Sequence, residues 1–96
     1  MKILFVVSNP KSKEALLGLT EACTRRKQAF LCFFTGDGVE ILSDLQVVET
    51  LGNAERAVVC EHSWGKYFTG QQPPIEEGSQ TDHSAMVSKV EKVVSL

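Results

Sequence analysis

Apolar residues occur in this chain as short continuous runs and as helical repeats. Continuous runs occupy residues 2–8 (KILFVVS), 29–34 (AFLCFF) and 56–60 (RAVVC). Runs of this length, rich in β-branched and aromatic residues, are typical of strands covered on both faces of a parallel sheet. The sequence therefore predicts three buried strands.

Helical spacing follows the first two runs. Within residues 13–27 apolar side chains recur every three or four positions, Ser12 is a suitable N-cap, and basic residues end the segment. A second periodic segment covers residues 38–51. A short third helix is predicted after residue 60, ended by the Gly and Pro residues of 70–74. Each predicted strand is thus followed by a helix.

The last quarter of the chain gives weaker signals. Residues 75–80 are short and polar, which suits only an edge strand. Asp82 is a candidate N-cap for a last short helix, and residues 90–96 contain enough valine for a closing strand. The alternation of strands and helices predicts one domain, residues 1–96, folded as a three-layer α/β/α sandwich of flavodoxin-like type with a mostly parallel five-stranded sheet.

Composition and charge limit the classes of partner that the chain is expected to bind. The formal net charge is −2, and the one basic cluster, Arg25 to Lys27, suits the last turn of a helix better than a nucleic-acid interface. The apolar run at residues 3–7 is too short for a membrane span or a signal-peptide core. We therefore expect a cytoplasmic protein without a nucleic-acid or membrane partner.

The three cysteines, Cys23, Cys32 and Cys60, form no CxxC pair, so reduced thiols are expected. The first two fall on predicted core positions, where cysteine acts as a small hydrophobe. A zinc site built from Cys60, Glu61 or His62 and a distant His83 is an alternative, although its spacing fits no common motif. We predict no bound metal.

Cys60 stands where the third strand becomes a helix. Sites in open α/β sheets gather at the carboxyl ends of the strands, and backbone N–H groups at a helix start favour a thiolate. Nearby His62 and Lys66 would favour the thiolate, Glu61 would oppose it, and inert burial of Cys60 remains the alternative reading.

Other chemistries lack the residues they need. The loop at residues 8–13 has no glycine for a phosphate cradle, so no nucleotide or flavin cofactor is predicted. A receiver domain would need an acidic pair after the first strand, where Asn9 stands. A cysteine phosphatase would need an arginine at the position of Lys66.

The whole chain resembles the DsrE/DsrF-like family of small sulfur-relay proteins, which includes the TusBCD subunits. The resemblance rests on the first strand, on the FFTGDGV segment at residues 33–39, on Val58-Val59-Cys60 followed by Ser63 and Gly70, and on the VEKVVSL ending. It implies a DsrE-like five-stranded fold and Cys60 as the residue that carries a persulfide. It also implies homo-oligomers (dimer, trimer or hexamer) or assembly with related DsrE-type subunits.

Two functions follow as hypotheses. In the first, a sulfur carrier, Cys60 accepts sulfane sulfur from a donor protein and passes it to an acceptor thiol, and His62 tunes the thiolate or moves a proton. In the second, the chain is a non-catalytic oligomeric binding module with an inert Cys60. The aromatic cluster Trp64, Tyr67 and Phe68 then serves a subunit contact, or else it docks the third helix on the sheet.

Overall fold

The computed structural model describes all residues, 1–96, and contains a five-stranded, entirely parallel sheet. The strands are β1 (Lys2–Val7), β2 (Ala29–Phe34), β3 (Arg56–Cys60), β4 (Glu76–Gly78) and β5 (Lys92–Ser95). The α-helices are α1 (Lys13–Arg25), α2 (Leu45–Leu51), α3 (Glu61–Tyr67) and α4 (Gln80–Ser88). Short 3-10 segments precede α1 (Pro10–Ser12) and α2 (Gly36–Ser43). The predicted α/β sandwich is confirmed.

The strand order is β4-β3-β2-β1-β5, so the chain moves steadily from β1 to β4 and then returns to the other side of β1. Right-handed crossovers place the helices of the first three steps on one face of the sheet and that of the return step on the other. The two apolar clusters match this arrangement. The larger contains buried residues of α1, α2 and α3, whereas the smaller contains Met86 of α4.

The central strand, β2, is apolar on both faces because both faces are covered. In β2 every residue from Phe30 to Phe34 is buried, with alternate side chains in the two clusters. Register is set by pairs such as Phe5 with Cys32 and Leu31 with Arg56. A one-residue slip would exchange the two cores, so this pattern specifies the pairing strongly.

Two predicted elements differ in detail from the structure. The helix expected over residues 38–51 is divided, because Asp44 is extended and its carboxylate accepts hydrogen bonds from the amides of Gln46 and Val47, which starts α2 anew. The last helix is capped by Ser79 rather than Asp82. Asp82 is instead the third helical residue, and its carboxylate accepts a hydrogen bond from the Ser79 amide in a capping box.

The longest helix, α1, has 13 residues. None of the helices combines the length and the apolar character that crossing a membrane would need.

Candidate functional site

Cys60 lies at the carboxyl end of β3, between the ends of two neighbouring strands. Val59 pairs with Phe34 of β2, and Cys60 itself pairs with Gly78 of β4. The residue is only 6% exposed and occupies the N-cap position of α3. The predicted strand-to-helix setting of the thiol is therefore observed.

Ser63, in the first turn of α3, links the thiol to the loop after β2. Its buried hydroxyl accepts a hydrogen bond of 2.9 Å from the Gly36 amide, and the same hydroxyl is one of the groups that lower the pKa of the Cys60 thiol. A hydroxyl can donate and accept at once, so the bond from Gly36 leaves the Ser63 proton available to a thiolate. Ser63 thus connects the surroundings of the thiol to the loop after β2.

Glycine is required in this loop for two different reasons. Gly36 has a φ of 55°, in the left-handed region that other residues enter at a cost. Gly38 packs so closely on β1 that an added Cβ would lie 2.4 Å from the carbonyl oxygen of Val7. The Gly-Asp-Gly turn consequently fixes the position of the Gly36 amide, and with it that of Ser63.

The three thiols differ in their tendency to ionise. Burial raises the pKa of the Cys60 thiol, but the amide and hydroxyl of Ser63, the amide of His62 and the side chain of Gln80 outweigh burial and bring the pKa below its ordinary value. Burial raises the pKa of Cys32 far above its usual range. It also raises the pKa of Cys23, against the opposing charge of Arg26. Cys60 is the one thiol whose surroundings favour the thiolate.

The charged neighbours predicted to act on Cys60 do not contact it. The His62 imidazole is exposed and has no hydrogen bond, so it is the backbone of His62 that faces the sulfur. Lys66 lies over the ring of Tyr67 with 6.0 Å between its ammonium and the ring centroid. The sources of thiolate stabilisation are therefore hydrogen-bond donors rather than side-chain cations, and a proton-transfer role for His62 stays a prediction.

The zinc alternative has no supporting geometry. No group of three His, Cys, Asp or Glu side chains is arranged to hold a metal ion. His83 stacks on Phe33 of β2 with 4.8 Å between ring centroids. This histidine serves the packing of α4 on the sheet.

The aromatic cluster of α3 faces inward. Trp64 is 5% exposed, stacks on Phe68 and donates its indole N–H to the carbonyl oxygen of Gln71 at 2.8 Å. The Tyr67 hydroxyl donates to the Asp37 carboxylate in the glycine turn. These side chains dock α3 and its following loop on the protein, which leaves little of Trp64 for a partner.

Gln80 was not predicted as a site residue. It is the first residue of α4, just beyond Gly78, the β4 partner of Cys60, and its side chain is among the groups that lower the pKa of the Cys60 thiol. An ion pair supports that pairing. The Arg56 guanidinium binds the Glu76 carboxylate through two hydrogen bonds of 2.6 and 3.1 Å and reaches Asp82 at 3.3 Å. The sequence does not show that the ends of β3 and β4 are adjacent, and for this reason it does not indicate Gln80 as a site residue.

The fold and site together define a parallel α/β/α protein with a buried cysteine at a strand end, where its surroundings lower the pKa of the thiol. Comparison with known proteins gave no match: no protein-family model matches the chain, and no curated protein or solved structure is significantly similar to it. The DsrE-like assignment therefore remains a prediction from the sequence motifs.

Proposed function

We propose that this protein is a small sulfur carrier that holds sulfane sulfur as a persulfide on Cys60. The observation that carries the proposal is the contrast among its three thiols: only Cys60 combines a strand-end position with a pKa below the ordinary value. The DsrE-like motifs support the same residue. The working location would be the cytoplasm, where thiols stay reduced.

The proposed reaction has two thiol exchanges and needs no oxidant. The Cys60 thiolate attacks the outer sulfur of a donor persulfide, the donor S–S bond breaks, and the donor leaves as a thiolate. An acceptor thiolate then attacks the outer sulfur of the Cys60 persulfide, and Cys60 is released as a thiolate. The donors from Ser63, His62 and Gln80 would stabilise the negative charge on Cys60 before the first attack and after the second.

Access to the thiol is the remaining structural requirement. At 6% exposure Cys60 offers little surface to a donor, so side chains around it would have to move outward. Gln80 is exposed and is the neighbour best placed to do so. We propose that the Gln80 side chain moves aside when a persulfide, small or protein-bound, approaches Cys60.

The test is persulfide loading of three variants that each have one cysteine replaced by serine, measured by mass spectrometry. After incubation with a low-molecular-weight persulfide, the wild-type protein should gain about 32 Da, one sulfur atom, and Cys60→Ser should not, because a serine hydroxyl cannot carry sulfane sulfur. Cys23→Ser and Cys32→Ser should retain loading while losing about 1–3 kcal/mol of stability, because each places a hydroxyl in the core. Loading that persists in Cys60→Ser would refute the proposal.

A further inference from the structure

A groove separate from Cys60 lies beside the other edge of the sheet. It has a volume of about 340 Å³ and runs between α1 and β5. Seven of its ten lining residues are hydrophobic, among them Phe5 of β1, Leu19 of α1 and Val94 of β5. This volume falls within the range of roughly 300–1,000 Å³ found for small-molecule sites.

The topology explains why this groove is open. Phe5 pairs with Val94, so both side chains lie on the face of the sheet that α1 covers. On this face the helices cover the sheet from β1 towards β4, and β5 is added outside α1. As a result Leu19 of α1 remains 40% exposed beside the edge strand.

The charges in the groove are all of one sign. Arg26, at the end of α1, and Lys92, at the start of β5, line it together with the amide side chain of Gln28, and no carboxylate does. Neither cation takes part in an ion pair. The neighbouring Glu91 carboxylate is instead bound by the Lys2 backbone amide at 2.6 Å.

We propose that this groove binds a small free carboxylate with an apolar tail. The tail would lie on Phe5, Leu19 and Val94, and the carboxylate would be held by the Arg26 guanidinium and the Lys92 ammonium. Guanidinium groups bind carboxylates through two parallel hydrogen bonds, which gives a charged head group a defined position. An uncharged analogue would make neither ion pair and would leave both exposed cations bound to water alone.

The experiment is calorimetric titration of the whole protein with octanoate, octan-1-ol and butanoate. Octanoate should bind at least roughly tenfold more tightly than octan-1-ol, which lacks the charge. It should also bind at least roughly tenfold more tightly than butanoate, which lacks four methylenes. Equal affinity for octanoate and octan-1-ol would overturn the proposal.

Matched variants locate the site. Arg26→Gln and Lys92→Gln should each weaken octanoate binding roughly three- to tenfold. Arg25→Gln and Lys89→Gln, which alter exposed cations outside the groove, should leave it unchanged. Ala22→Trp should abolish binding by filling the groove. Equal effects of Arg26→Gln and Arg25→Gln would refute the site.

Two further outcomes would show that the groove is not a carboxylate site. If octanoate does not bind and Arg26→Gln changes the oligomeric state, a second copy of the chain covers this surface and the proposal is wrong. If octanoate binds but shifts amide NMR signals around Cys60 rather than those of Leu19 and Val94, the site is elsewhere. Shifts confined to α1, β1 and β5 would support the groove.

Discussion

The Ser63 hydroxyl accepts a hydrogen bond of 2.9 Å from the Gly36 amide, which ties the first turn of α3 to the glycine turn. The same hydroxyl is one of several donors that lower the pKa of the Cys60 thiol against the effect of burial. The reactivity of Cys60 should therefore depend on a residue three positions away whose own position is fixed by another loop.

Replacing Ser63 by alanine tests that dependence. Ser63→Ala removes a donor to the thiolate, so the pKa of Cys60 should rise. Alkylation by iodoacetamide at neutral pH should then slow by up to roughly tenfold. The rate should be followed across a pH series by mass spectrometry of the Cys60 peptide.

Ser84→Ala is the matched control, because Ser84 is exposed on α4. An unchanged pH profile in Ser63→Ala would show that the hydroxyl does not act on the sulfur. In native wild-type protein, Cys60 should also react faster than Cys23 and Cys32, because its pKa is lowered whereas burial raises the pKa of the other two thiols.

Parts of the fold could be predicted from the sequence because burial leaves a local pattern. The run at 29–34 reads as a strand since both faces of β2 are covered. The division of the second helix was missed because apolar periodicity continues through Asp44, whose side chain bonds locally to the following amides. Periodicity reports which face is buried, and it does not report where the backbone turns.

The same limit applies to the site. Cys60 and Ser63 are close in sequence, so their relation to a strand end was visible. Gln80 meets Cys60 only because β4 pairs with β3, and the polar segment that forms β4 gives little strand signal. The sequence does not determine whether Trp64 lies in the core or at an interface, because aromatic composition alone does not determine burial.

Gly38 is buried and Gly18 is exposed, so substitution by alanine should change the stability of the protein in opposite directions at these two positions. Gly38→Ala would place a Cβ 2.4 Å from the Val7 carbonyl oxygen, so we expect a loss of about 1–3 kcal/mol. Gly18→Ala, in α1 with no atom within 4 Å of the new Cβ, should gain roughly 0.5–1 kcal/mol.

Urea denaturation of both variants measures these changes. Because the glycine turn holds the Gly36 amide against Ser63, Gly38→Ala should also slow alkylation of Cys60 under native conditions. A Gly38→Ala protein as stable as the wild type would mean that the turn can move away from β1 without loss.

Acid should weaken the ion pairs that join Arg56 of β3 to Glu76 of β4 and Asp82 of α4. A hydrogen bond from the Ser79 amide and the charge of Arg56 lower the pKa of Asp82 below its ordinary 3.8. A hydrogen bond from Arg56 lowers the pKa of Glu76 below its ordinary 4.5. Because both values are depressed in the folded state, their stabilisation is present above these ordinary values and is lost as pH falls through the folded ones.

Thermal unfolding between pH 7 and pH 3 tests this sign. The wild-type Tm should fall as the pH drops below about 4.5, and Asp82→Asn should have a lower Tm at pH 7 and a weaker dependence on acid. Glu77→Gln is the control, since Glu77 is exposed on β4 next to Glu76 and forms no ion pair. An acid profile of Asp82→Asn that parallels the wild type would exclude Asp82 as a contributor.

Self-association is the last prediction, and it concerns the face of the sheet that α4 covers. This single helix of nine residues leaves Val87 39% exposed and Val93 of β5 44% exposed. Burial of such side chains between copies would add apolar contact that a chain of this size cannot make within itself.

Light scattering at micromolar concentration should therefore report a dimer or larger assembly, and Val93→Asp should shift the measured mass toward the monomer mass of 10.6 kDa. Leu45→Asp removes an even more exposed aliphatic side chain, 83% exposed on α2, and should leave the assembly intact. A wild-type mass of one chain, or equal effects of the two substitutions, would contradict an interface on the α4 face.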